Sequence, residues 1–240
     1  QKFSTVLTAD PLDLYRYLRH INPAPFAAYL HFAEVIVASA SPERYLLLQD
    51  RRVETRPIKG TRPRGADVES DQILKQELLN SEKDQAELVM IIDLERNDLG
   101  RVCEYGSVQV PDLIRLEEYA TVFHLVSTVT GRLTMDKDIT DVIMASFPGG
   151  SITGAPKVRA MEIIEEQETA RRGIYTGSIG YIDFNGDADL NITIRTVVIK
   201  NGQAHFHVGG GIVADSVPEL EYQETLDKGR ALLRALGYKA

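Results

Sequence analysis

Residues 173–213 read GIYTGSIGYIDFNGDADLNITIRTVVIKNGQAHFHVGGGIV, and this stretch decides the fold class. Asn185-Gly186 and Asn201-Gly202 are dipeptides that supply the positive φ angles of tight hairpin turns. Each lies between runs rich in Ile, Val, Tyr, Thr and Phe. Antiparallel sheet is therefore expected from Gly173 to Val213, with Arg195 in the middle of a strand among Ile192, Ile194, Val197 and Val198. Downstream, Pro218 opens a last helix expected to keep Tyr222, Leu226, Leu233 and Leu236 near one face.

Upstream, helices and short strands interleave without a regular βαβ rhythm. Phe3 to Leu7 reads as the end of a strand. Asp10-Pro11 is an N-cap and first-turn pair for a helix that stops near Asn22-Pro23. Tyr29 to Ser39 and Tyr45 to Gln49 are β-rich, separated by Ser41-Pro42-Glu43-Arg44, and Asp50-Arg51 turns the chain into Val53 to Ile58. A helix follows from about Ser70, broken at Asn80-Ser81. Strands fit Ser107 to Val110 and Ala120 to Thr130, and helices fit Thr140 to Ser146 and Pro156 to Glu166. The class is α+β.

A chain of 240 residues with 43% hydrophobic and 26% charged residues has ordinary globular composition and can bury a core. The net charge of −8 argues against a nucleic-acid groove, so an anionic ligand would need local cations, backbone N–H groups or a metal. Cys103 is the single cysteine; an intrachain disulfide is impossible, and a cytoplasmic setting is expected. No apolar run approaches the ~20 residues of a membrane span, so no membrane partner is expected. The start at Gln1, within a strand, suggests a cut or processed end.

Several constellations could carry chemistry. Glu221, Glu224 and Lys228 share a face of the last helix, and Asp84 and Glu87 repeat the i, i+3 spacing before an apolar run. Solvated charged faces account for such patterns, but carboxylates on two helices also suit Mg²⁺, a hard ion that favours oxygen ligands. Pro148 to Lys157 is a glycine-rich turn into a helix that departs from the Walker A pattern at Ala155-Pro156. Gly209, Gly210 and Gly211 permit close backbone approach. Arg195 with Tyr175 could clamp a carboxylate. His124, in an apolar run, reads by composition as a hydrogen-bonded core histidine. Lys59 ends the strand-like Pro57-Ile58-Lys59-Gly60-Thr61; most lysines are surface residues, and a functional one here would be partly desolvated to free its amine.

Taken in order, Ser41-Pro42-Glu43, Arg56 to Thr61, Asp93-Leu94-Glu95-Arg96-Asn97-Asp98-Leu99-Gly100, His124 to Thr128, Pro148 to Lys157, Gly173 to Gly177, and Gly209 to Ala214 with Glu221 to Thr225 resemble the chorismate-utilising enzymes. Anthranilate, aminodeoxychorismate, isochorismate and salicylate synthases belong to that group. The resemblance spans nearly the whole chain. It implies an α+β fold of antiparallel sheets packed face to face with helices outside. It also implies that residues 1–240 are a chorismate-binding catalytic domain, the C-terminal part of a longer protein without its N-terminal region.

The resemblance assigns the residues as follows. Pro-Ile-Lys-Gly-Thr resembles aminodeoxychorismate synthases, where anthranilate synthases usually carry alanine in place of lysine. Lys59 would attack chorismate and Glu43 would protonate the leaving hydroxyl. Thr61 and His124 would line the ring pocket. Tyr175, Arg195, Gly209, Gly210, Gly211 and Lys228 would bind carboxylates, and the 149–154 loop would shape the site. Glu87 and Glu224 would hold Mg²⁺, with Glu221 and Asp84 nearby. Ammonia would come from a glutamine amidotransferase subunit or domain, since Cys103 in Val102-Cys103-Glu104 lacks the elbow of a glutaminase nucleophile. Anthranilate synthase component I is the alternative.

Overall fold

The computed structural model describes residues 1–119 and 122–238. In chain order the elements are β1 (Lys2–Val6), α1 (Pro11–Ile21), β2 (Phe26–His31), β3 (Ile36–Ser41), β4 (Arg44–Gln49), β5 (Arg52–Thr55), β6 (Ile58–Pro63), α2 (Val68–Leu79), α3 (Glu82–Gly100), β7 (Gln109–Glu118) and β8 (Val122–Arg132). There follow α4 (Ile139–Ser146), a 3-10 turn (Gly150–Ile152), α5 (Lys157–Gln167), β9 (Gly180–Ile182), β10 (Ala188–Asn191), β11 (Thr196–Lys200), β12 (Gln203–His207) and α6 (Pro218–Ala235). The α+β class with antiparallel sheets is thus observed. The chain forms two compact units, one of residues 1–43, 165–179 and 191–240, the other of residues 44–164 and 180–190.

Unit one is built on a five-stranded sheet in the order β1-β12-β11-β3-β2. Its β11–β12 hairpin pairs Lys200 with Gln203 across Asn201 (φ 52°) and Gly202 (φ 74°), the two-residue turn that Asn-Gly encodes. The inward faces of β11 and β12 (Val197, Ile199, Ala204, Phe206) join Leu14 and Leu18 of α1 and Leu232 of α6 in one buried cluster. α1 starts where expected, because the Asp10 carboxylate accepts from the Leu12 and Asp13 amides, at 2.9 and 3.2 Å.

Unit two carries the seven-stranded sheet, β6-β8-β5-β4-β10-β9, with β7 on β8. α3 packs on β6, β7 and β8 through the buried Leu88, Ile91, Ile92 and Leu99. Ser81 caps α3, accepting from the Asp84 amide, and this cap is the physical content of the Asn80-Ser81 break. Arg44 ties three strands together, donating to both oxygens of Asp189 at 3.0 Å and to Glu54 at 3.3 Å.

Several sequence expectations are corrected. Tyr29 to Ser39 is a hairpin of two strands, and Val53 to Ile58 is split between β5 and β6. The strand expected at Ser107 begins at Gln109 and runs on to Glu118; Ala120, expected to start the next, lies outside the described residues. Lys59 is the second residue of β6, so its segment opens a strand rather than closing one. Arg195 lies between β10 and β11 with φ 52°, a left-handed position outside the extended range of a regular strand. Of the expected apolar face of α6, Leu233 and Leu236 pack against the buried cluster, whereas Tyr222 is 58% exposed, and the buried residues of α6 are Glu221, Gly229 and Leu232.

Candidate active site

In unit two, one irregularity of β6 sets the scene. Lys59 pairs with Leu125 and Thr61 with His124, which leaves Gly60 as an extra residue at φ 78°. A Cβ on Gly60 would stand 2.9 Å from the Asp84 side chain and from Leu78 Cδ1, so the missing side chain lets α2 and α3 approach the strand. Glu87, one turn beyond Asp84, brings Oε2 to 3.9 Å from Lys59 Nζ. Lys59 Nζ also donates to the Ser151 carbonyl at 3.1 Å. With 17% of its side chain exposed, Lys59 is not the surface lysine that base composition favours.

Thr61 Oγ1 and His124 Nδ1 are 2.9 Å apart, and His124 is buried and hydrogen-bonded, as its core-histidine reading has it. Asp84 meets the Arg62 guanidinium at 3.4 Å. The Pro148–Lys157 loop is anchored by Lys157 Nζ, which donates to Asp98 at 2.6 Å and to the Ser146 carbonyl at 2.7 Å. Burial pushes the Asp98 carboxyl above its ordinary range, and the Lys157 ammonium offsets that only in part.

Unit one gathers the other candidates. The 209–211 segment leaves β12 and passes close to α6, because a Cβ on Gly210 would stand 3.2 Å from Glu221 Oε2 and 3.4 Å from Glu224 Oε1. Lys228 Nζ bridges Glu224 Oε1 (2.5 Å) and the Gly209 carbonyl (3.2 Å). Ser216 Oγ donates to Glu221 Oε1 at 2.6 Å. Gly211 continues the segment, half-buried. The Tyr175 hydroxyl would lie 3.6 Å from a Cβ on Gly209.

Enclosure of the Arg195 guanidinium pulls it below its ordinary range, with the Tyr175 and Glu224 charges opposing. Burial raises the Tyr175 phenol. The Tyr175 and Arg195 charges each act on the other. Glu43 is 6% exposed at the end of unit one's first segment, where its carbonyl accepts from the Ile192 amide at 3.0 Å.

The four metal candidates divide as Asp84 and Glu87 in unit two, Glu221 and Glu224 in unit one. No group of three or more His, Cys, Asp or Glu side chains placed to hold a metal occurs among the described residues. Each pair offers hard oxygen donors and already carries cationic side chains: Lys59 and Lys83 near Glu87, Lys228 on Glu224. That donor chemistry fits Mg²⁺. The sequence reading took Ser151 only as part of the 149–154 loop and did not single out Ser216, His207 or Arg172. Arg172 had a readable signal, an i, i+4 pair with Glu168, whereas a backbone carbonyl such as that of Ser151 leaves none.

Among the described residues no helix is long and apolar enough to cross a membrane. The chorismate binding enzyme family matches residues 1–234. Anthranilate synthase component 1 of Thermus thermophilus is 52% identical over 235 residues, covering 98% of this chain and 51% of that protein. Aminodeoxychorismate synthase component 1 of Klebsiella aerogenes is 52% identical over 236 residues, covering 98% and 52%. The crystal structure of anthranilate synthase component I from Streptococcus pneumoniae superposes with a TM-score of 0.87 at 42% identity, over 96% of this chain and 51% of that one. The chain thus spans about half the length of these relatives, and resembles both named activities equally. On the family match and on these identities, the chain belongs to the chorismate binding enzymes.

Proposed function

We propose that this chain aminates chorismate, giving 4-amino-4-deoxychorismate for para-aminobenzoate and folate synthesis, as an aminodeoxychorismate synthase does. The observation that carries this reading is Lys59: a largely enclosed amine on β6, held by a carbonyl and flanked by Glu87. In its free-amine form Lys59 attacks ring carbon 2. Both conjugated ring double bonds shift, the carbon 4–oxygen bond breaks, and Glu43 delivers the proton that lets the hydroxyl leave as water. Ammonia then attacks carbon 4, the carbon 2–nitrogen bond breaks, and the lysine amine is returned. The proton lost by the new amine restores Glu43. Two allylic displacements thereby replace one difficult substitution.

The remaining residues bind and orient. Tyr175, Arg195, Lys228 and the 209–211 amides hold carboxylates, and Thr61 and His124 line the ring pocket. Glu87 and Asp84 in unit two, and Glu224 and Glu221 in unit one, would offer the carboxylates for Mg²⁺, which when bound would neutralise carboxylate charge. Ammonia comes from a glutamine amidotransferase subunit or domain.

Anthranilate synthase is the second reading, favoured by the 52% identity to an enzyme of that name. Incubation with chorismate, Mg²⁺ and ammonium, with product analysis and intact-protein mass, separates the two. Aminodeoxychorismate with the pyruvyl group retained, and a mass adduct lost in Lys59→Ala, support amination. Anthranilate with free pyruvate supports the second reading and removes the first.

A further inference from the structure

Tyr175 lies in a turn rather than a strand. Gly173 and Thr176 have φ 59° and 62°, and the Tyr175 amide donates to the Arg172 carbonyl at 3.1 Å. Backbone alone does not fix where such a ring points. Two side chains touch the ring, one from the turn itself and one from β12. The His207 ring stacks on the Tyr175 ring, with centroids 5.2 Å apart and planes 12° from parallel. The Arg172 guanidinium stands 5.7 Å from the Tyr175 centroid. Arg172 is itself fixed, with Nε 3.0 Å from each oxygen of Glu168. His207 ends β12, and two residues on lies Gly209, beside the Tyr175 hydroxyl. The same short stretch therefore supports the ring and bounds its hydroxyl.

We propose that His207 and Arg172 are positioning residues for the Tyr175 phenol, setting the aim of its hydroxyl toward a substrate carboxylate. This rests on the assignment of Tyr175 to chorismate. A stack restricts the ring's plane without touching the ligand, so its loss should weaken binding more than turnover.

The test uses steady-state kinetics of the full chain with saturating Mg²⁺ and ammonium. His207→Ala is expected to raise KM for chorismate about three- to ten-fold, the range of one aromatic pair, with kcat little changed. His207→Phe, which keeps a flat ring, should restore KM, and Glu168→Gln, which loosens Arg172, should raise it. In a Tyr175→Phe background His207→Ala should have no further effect. An unchanged KM in His207→Ala, failure of the phenylalanine rescue, or an equal effect without the Tyr175 hydroxyl would each overturn the proposal. If the wild type neither binds nor converts chorismate, the proposed function fails instead. Tyr175 ring-flip rates by NMR then decide positioning alone, and no acceleration in His207→Ala overturns it.

Discussion

Thr61 Oγ1 lies 2.9 Å from His124 Nδ1, across the β6–β8 pair that also carries Lys59. The bond engages one ring nitrogen and so fixes the direction in which the other points. Thr61→Val is expected to lower kcat about ten-fold, the rate equivalent of ~1.4 kcal/mol, while Thr61→Ser retains activity. Comparable kcat values for the two variants would remove His124 orientation from the account.

Gly60 is held at φ 78° with Asp84 and Leu78 against it. Gly60→Ala combines left-handed backbone strain with overpacking, each costing about 1–2 kcal/mol or more. A large drop in the urea midpoint is expected, and an unchanged midpoint contradicts the close approach of α3 to β6.

The Lys157–Asp98 pair is buried, with 15% and 6% of the side chains exposed. Lys157→Met strands a carboxylate that burial already disfavours and is expected to cost about 3–5 kcal/mol. Adding Asp98→Asn should recover part of the loss. The double variant, assayed by denaturation, should be the more stable; the reverse order would show that the pair does not anchor the loop.

Burial first, then the Lys2 charge, holds His207 below the usual imidazole range. As pH falls through about 6.5 the unfolded chain takes up a proton that the folded chain refuses. Stability therefore declines toward acid, and above that pH His207 contributes no slope. His205 is depressed likewise, so His207→Phe should flatten the decline between about pH 6.5 and 5 in part. Urea midpoints at several pH values check this, and identical slopes for wild type and variant would contradict it.

Local chemistry was legible in the sequence where one residue or dipeptide dictates the outcome. Asp10-Pro11 caps α1, Asn201-Gly202 makes a two-residue hairpin, and Ser81 restarts the helix. Non-local pairing was not. The Asn185-Gly186 and Asn201-Gly202 hairpins look alike in sequence, yet they belong to different sheets. Arg195 reads as strand because its neighbours are β-branched, but Ala40 donates its amide to the Arg195 carbonyl at 3.1 Å and the chain turns left-handed there. Of the candidate site, the charged residues were visible by spacing and resemblance. What touches Lys59 and Tyr175, the Ser151 carbonyl and the His207 ring, depends on contacts that no local pattern encodes.

Unit one is assembled from three segments far apart in sequence, and that has a kinetic consequence. The Ser39–Thr196 hydroxyl pair on β3 and β11 joins residues 157 apart, and Ser4 meets His205 over a separation of 201. β1, and the edge of β3 that faces β11, therefore have no partner until residues 196–207 are in place, whereas β2 and β3 can pair with each other early. Residues 44–164, by contrast, form most of unit two from one continuous run. Closing so long a loop costs entropy before any non-local contact repays it, and high contact order slows folding. Unit two should acquire exchange protection first during refolding. The sheet bearing Tyr175's stacking partner should complete last, leaving β2 and β3 exposed to mispairing in the interval.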